Sequence, residues 1–271
     1  MQIKIGNFDF TEVWDGVLYK KLSDYPNISD WELRNIIEFV SYEEENNRAC
    51  VIECEDKDIL SAIHKKIQDK GRYINTPRPS LITECTACPK RKGCETAFVC
   101  HTTSAENAIS IFESGKLLSA VKARNISAEQ LMAEGRNAAR DPADYFEYVM
   151  LAWGNCQAGD RLVMERKLKR FPNENDLSIH FEPGVRFYFR YDDLANHPNV
   201  TFDGVLPMKI RDELSLREYV YAIVIPKELQ NKLKCCVPEY LEDRVMYIEN
   251  DCKDIWEWSE KVYQCIEQST A

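Results

Sequence analysis

Along residues 2–10, Gln-Ile-Lys-Ile-Gly-Asn-Phe-Asp-Phe, apolar and polar side chains alternate, the two-residue period of a strand with one buried face. The period then lengthens. Behind Ser29 and Asp30, a suitable helix start, Trp31, Leu33, Ile36, Ile37 and Val40 recur at helical spacing. A short apolar run at 49–54 predicts another strand. A helix from Asp58 then carries Ile59, Leu60, Ile63 and Ile67 on one side. These elements predict a small α/β domain over residues 1–80. It is closed by Thr-Pro-Arg-Pro-Ser at 76–80, a linker stiffened at each proline.

Beyond the linker a short strand from Phe98 delivers His101, and a helix starts near Ser104 and stops at Gly115, the expected C-terminal glycine. A helix over 128–142 ends at Asp141 and Pro142. The segment 144–155 is rich in aromatic residues and reads as core or pocket wall. In the strand within 184–194, Phe187 and Phe189 face one way and Tyr188 the other. After a long connection at 202–216, residues 217–226 are β-branched and aromatic and end at Pro226, the clearest strand signal in the chain. A closing strand is expected at 243–248. Last comes an amphipathic helix from Asp254 with Ile255, Trp258, Val262 and Ile266 on one stripe. The predicted class is α+β.

Composition narrows the setting. The chain has 271 residues, enough for one large domain or two small ones with a core that needs no disulfides. Its 35 basic and 45 acidic residues give a net charge of -10, which argues against coating nucleic acid or an anionic membrane by bulk charge. No apolar run approaches the roughly 18 residues of a membrane span, and the first residues lack a signal-peptide pattern. A cytoplasmic protein is expected. In that compartment the 11 cysteines read as thiols or metal ligands.

Cys50 and Cys54 share one face of a predicted strand and are assigned to the core. A denser set follows at Cys85, Cys88, Cys94 and Cys100, spaced Cys-x2-Cys-x5-Cys-x5-Cys with Pro89 and Gly93 at the turns. Two cysteines separated by two residues aim both sulfurs at one ion, and four thiolates close a tetrahedral site. Residues 81–100 therefore predict a four-cysteine metal knuckle, with zinc as the metal and an iron-sulfur cluster as the alternative. Cys100, on a predicted strand, reads either as the fourth ligand or as a packed thiol. Lys90, Arg91 and Lys92 make the knuckle basic, which suits a phosphate backbone or a solvated turn equally.

The stretch from His101 through Thr103, Glu106 and Asn107 to Gly115, Leu117 and Leu118 resembles the opening of the ADP-ribosyltransferase fold, most closely the DarT-like nucleic-acid ADP-ribosyltransferases. In that pattern a later helix carries an arginine followed by an asparagine that touches NAD, matched here by Arg136 and Asn137, with Arg140 as a rival. A glutamate at the start of a strand does the catalysis, and Glu218 occupies that place. The resemblance covers residues 98 to about 250. It departs at the glutamate, where Arg217 stands in place of the usual alanine, and in a shorter preceding loop.

The resemblance implies a split mixed sheet with helices over 101–271, preceded by the small α/β domain and the knuckle. It implies NAD as co-substrate, bound by His101, Thr103, Asn107 and Arg136, with Glu218 and Arg136 catalytic. A carboxylate accepting a hydrogen bond from the ribose 2′-hydroxyl would stabilise the oxocarbenium charge that develops as nicotinamide leaves. The expected acceptor is a base in single-stranded nucleic acid, which is already unstacked. Lys90 to Lys92, with Arg161, Arg166, Lys167, Lys169 and Arg170, could guide the strand, and the latter five also suit a solvated helix face. Such an enzyme is of the toxin or defence type and implies an antitoxin or an ADP-ribose-removing partner. Alternative readings are transfer to protein side chains, and a non-catalytic zinc-knuckle binding module.

Overall fold

A computed structural model describes residues 1–8, 11–14, 16–69, 96–134, 143–178 and 181–269. Cys85, Cys88, Cys94, Arg136, Asn137, the basic residues at 90–92 and the 76–80 linker lie outside the described residues.

The strands are β1 (Gln2–Gly6), β2 (Glu12–Trp14), β3 (Val17–Lys21), β4 (Val51–Cys54), β5 (Phe98–Thr103), β6 (Lys116–Leu118), β7 (Tyr148–Trp153), β8 (Val185–Arg190), β9 (Val200–Thr201), β10 (Met208–Arg211), β11 (Glu213–Ser215), β12 (Val220–Pro226) and β13 (Val245–Ile248). The longer helices are α1 (Asp30–Glu45), α2 (Lys57–Gln68), α3 (Ala105–Ser114), α4 (Ala158–Leu168) and α5 (Ile255–Gln268). The class is α+β. The chain divides into two compact units: 1–95 with 120–148 and 200–211, and 96–119 with 149–199 and 212–271.

In the first unit the strand order is β2-β3-β1-β4, with β1 parallel to both β3 and β4 and β2 antiparallel to β3. Helix α1 begins at a capping box. The Ser29 side chain accepts from the Glu32 N–H, and the Glu32 carboxylate accepts from the Ser29 N–H, so two otherwise orphaned donors are satisfied. Its apolar stripe, Leu33, Ile36, Phe39 and Val40, packs on Ile3, Ile5 and Leu18 of the sheet, with Ile59 and Ile63 of α2 completing the core. A buried polar cluster lies in the same unit. Lys209 Nζ sits 3.1 Å from Asp203 Oδ2 and within 3.8–4.6 Å of the ring centroids of Tyr42, Tyr145 and Tyr148. Burial lowers the Lys209 pKa, and the carboxylate and ring faces oppose that shift by stabilising its charge.

In the second unit the strands run in the order β13-β12-β8-β5-β7. β12 is parallel to β13, while the β12–β8, β8–β5 and β5–β7 pairs are antiparallel, giving a mixed sheet. Both faces are covered. On one, Phe112 of α3 meets Phe187 of β8 at 5.7 Å between ring centroids. On the other, α5 presents Ile255, Trp258, Val262 and Ile266, all fully buried, to Phe98, Cys100, Tyr188 and Val224. Each such side chain contributes about 1.5–3 kcal/mol through burial. Phe187 and Tyr188 do face opposite ways, as the sequence predicts. Both are fully buried because β8 has helices on either side of it.

Candidate active site

β5 ends at Thr103, and the next residue caps α3. The Ser104 side chain accepts from the Asn107 N–H, and the helix closes at Gly115 with φ 68°, a left-handed position that glycine takes without a side-chain clash. The N–H groups of the first turn have no acceptor within the helix backbone, and the helix dipole adds partial positive charge there. This turn opens into a cleft of about 810 Å³. Ser104, Glu106 and Asn107 form one side; Val163, Arg166, Lys167 and the segment 181–184 form another; Pro226, Glu228, Leu229, Lys232 and Asn250 close it.

Close approach of three segments shapes the cleft. A Cβ on Gly184 would fall 2.6 Å from the Thr103 carbonyl oxygen, so only glycine lets 182–184 lie against the end of β5. Gly184→Ala is expected to cost about 1–3 kcal/mol, as overpacking does, and to widen the cleft. Thermal unfolding at Tm unchanged from wild type would show that the backbone yields there instead.

Behind that segment lies a buried ion pair. Asp160 of α4 and Arg186 of β8 are both fully buried, with Arg186 Nε donating to Asp160 Oδ2 at 2.9 Å and Nη2 donating to the same oxygen. Asp160 Oδ1 accepts from the Gly184 N–H at 2.8 Å. The guanidinium also donates to Ser259 Oγ at 2.5 Å and to the Tyr188 hydroxyl at 3.2 Å, and that hydroxyl donates to the Gly154 carbonyl at 3.1 Å. The network ties α4, β8 and α5 to the cleft wall.

His101 is half-buried in mid-sheet, and its Nδ1 donates to the Met150 carbonyl at 3.1 Å. Burial, with a smaller push from Arg166, holds its pKa below the ordinary histidine value, against the raising effect of the Met150 bond. The ring is therefore neutral at pH 7, with the proton on Nδ1 and Nε2 as an acceptor. Thr103 is buried and Asn107 exposed. Cys100 is buried in the sheet core with its thiol 3.7 Å from the Trp153 carbonyl, and burial pushes it up to about 12. That is the environment of a packed thiol.

Glu218 is exposed, on the helical turn Leu216–Tyr219 whose cap, Ser215 Oγ, accepts from the Glu218 N–H. The register locates it relative to the cleft. Val220 lies beside Phe189, which faces Val99 near the start of β5, whereas Ile223 lies abreast of His101 through Phe187. Pro226, at the far end of β12, lines the cleft. The rise from Val220 to Ile225 is about 17 Å. Asn107 thus lines the cleft, and Thr103 is buried at the strand end just before it, with His101 two residues back in β5. Glu218 stands at the opposite end of the sheet beside Tyr219 and His197.

The basic residues of α4 and the following turn are largely matched by acidic or aromatic partners. Lys167 pairs with Glu182, Arg170 grips Asp176 with two nitrogens, and the Arg161 guanidinium sits 4.4 Å from the ring centroid of the exposed Phe171. Lys232, which no sequence motif marks, pairs with Glu106 at 2.6 Å across the cleft mouth. Among the described residues no group of three or more His, Cys, Asp or Glu side chains could hold a metal ion, and no helix is long and apolar enough to cross a membrane. No family model, curated protein or solved structure matches the chain.

Proposed function

We propose that the chain is an NAD-dependent ADP-ribosyltransferase whose cleft at the start of α3 takes the diphosphate of NAD, with a base in single-stranded nucleic acid as acceptor. The observation that carries the reading is the cleft itself. The first turn of α3, Ser104 and three cationic side chains, Arg166, Lys167 and Lys232, border a volume of the size that accepts a nucleotide-sized ligand. Of the residues of the DarT-like resemblance, Asn107 borders the cleft, and His101 and Thr103 belong to the strand that leads into its helix.

The chemistry assigned to each group follows. Backbone N–H donors and the guanidinium of Arg166 suit phosphate oxygens. The lysines reach the ligand by exchange, since Lys167 and Lys232 leave Glu182 and Glu106 to pair with phosphate. Three glutamates, Glu106, Glu182 and Glu228, also border the cleft, so its charges balance when empty and favour a ligand only where donors converge. Glu218 enters the proposal through the resemblance alone. The ribose that loses nicotinamide is joined to the diphosphate through one methylene group, far less than the length of β12. With the diphosphate in the cleft, the carboxylates within reach of that ribose are those that border it, Glu182 and Glu228 among them. A zinc knuckle remains part of the proposal through the spacing of Cys85, Cys88 and Cys94, while Cys100 is packed in the sheet core.

Incubation with NAD labelled in the adenosine half, beside separate pools of single-stranded DNA, RNA and protein, tests the reading. Label on a nucleic acid is expected. Label on protein alone would change the acceptor class, and label on no pool would sink the transferase reading.

A further inference from the structure

After β12 the chain turns through Gln230–Leu233 and then Lys234–Cys236, a single 3-10 turn packed beside α3. Successive side chains on such a turn point about 120° apart, so neighbouring residues ordinarily diverge. Cys235 and Cys236 instead converge. Their sulfurs are 3.9 Å apart, and both fold back over one carbonyl, that of Lys232, at 4.0 and 3.8 Å. Cys235 is exposed and Cys236 half-buried. The turn is anchored immediately ahead of it by the fully buried Leu233.

The separation distinguishes two uses of a vicinal thiol pair. A disulfide needs sulfurs about 2.0 Å apart, so this pair would have to close by nearly half its spacing. A tetrahedral ion with bonds of about 2.3 Å to sulfur spans two thiolates about 3.8 Å apart. The pair stands at the chelating distance, and donors made only of sulfur select soft ions over hard ones.

We propose that Cys235 and Cys236 form a two-thiolate chelating site for a soft, thiophilic ion or metalloid. The site uses none of the cysteines of the knuckle and does not rest on the NAD reading. Phenylarsine oxide is a suitable probe because it requires two neighbouring thiols. Two arsenic–sulfur bonds form, the arsenic-bound oxygen leaves as water with the two thiol protons, and arsenic stays trivalent throughout, so no oxidant is needed.

Trypsin cutting after Lys234 and Arg244 releases residues 235–244, a decapeptide whose only cysteines are these two. After treatment of the folded full-length chain, this peptide is expected to carry one phenylarsenic group and to resist iodoacetamide at both cysteines. Cys235→Ser and Cys236→Ser should each lose the adduct. The folded chain should bind the probe about tenfold more tightly than the synthetic decapeptide, because the turn holds the sulfurs in place beforehand. Full alkylation of both cysteines after treatment, or equal affinity for chain and decapeptide, would overturn the proposal.

Discussion

Asp160→Ala is expected to lower the stability of the second unit by about 3–5 kcal/mol, the usual consequence of removing one partner of a buried ion pair. The size follows from what stays behind. Arg186 has no exposed surface, so its charge would lose its carboxylate without gaining water, and the Gly184 N–H would lose its acceptor as well. Ser259 and Tyr188 would remain as neutral partners, which softens the loss without replacing the charge. Against a typical domain stability of about 5–15 kcal/mol, this change removes a large share. Urea denaturation followed by tryptophan fluorescence measures it. Replacing both partners with apolar residues, Asp160→Leu with Arg186→Met, should be milder than Asp160→Ala alone, because no charge is left uncompensated. A loss below about 1 kcal/mol for Asp160→Ala would contradict the burial of the pair.

Glu182→Gln together with Glu228→Gln is expected to lower ADP-ribosyl transfer by about 10²-fold or more, while Glu218→Gln leaves transfer within about twofold. The first figure is what losing one group that stabilises developing transition-state charge typically removes. The second follows from the register, which separates Glu218 from the cleft by the length of β12. The substitutions keep shape and hydrogen-bonding capacity, and the side chains are exposed, so folding should be unaffected. Single-turnover transfer, measured on each variant beside wild type, separates the two effects. A fall of that size in Glu218→Gln alone would give the role to Glu218, as the resemblance implies, and move the diphosphate out of the cleft.

Elements with a local signal were legible in the sequence. The stripe of α5 is buried at each of its four expected positions, and Gly115 closes α3 as its place after the last periodic residue suggested. Ser29 begins α1 with its capping partner Glu32 three residues on. The start of the strand at 217–226 was less so. Residues 216–219 form a helical turn because the Ser215 hydroxyl takes the Glu218 N–H, a local bond that competes with strand pairing. The predicted strand at 2–10 is observed over Gln2–Gly6, with Asn7 and Phe8 outside it and residues 9 and 10 outside the described residues.

The candidate site was legible in part. The position of Asn107 at the mouth of α3 was legible because a strand end and a helix cap lie side by side in the chain. Asp160, Gly184 and Lys232 were not, because their importance arises from partners on distant segments: Arg186, the Thr103 carbonyl and Glu106. The same holds for 120–148 and 200–211, which fold with the first unit through contacts that no local period encodes.

The central claim, that the cleft at the start of α3 holds the NAD diphosphate, is tested most directly by calorimetric titration of NAD into wild type, Arg166→Glu and Lys232→Glu. A charge-assisted bond to phosphate contributes about 1.5–3 kcal/mol, so each variant should bind roughly 10- to 100-fold more weakly than wild type. Saturable binding by wild type that neither charge reversal alters, or no binding by wild type at all, would contradict it.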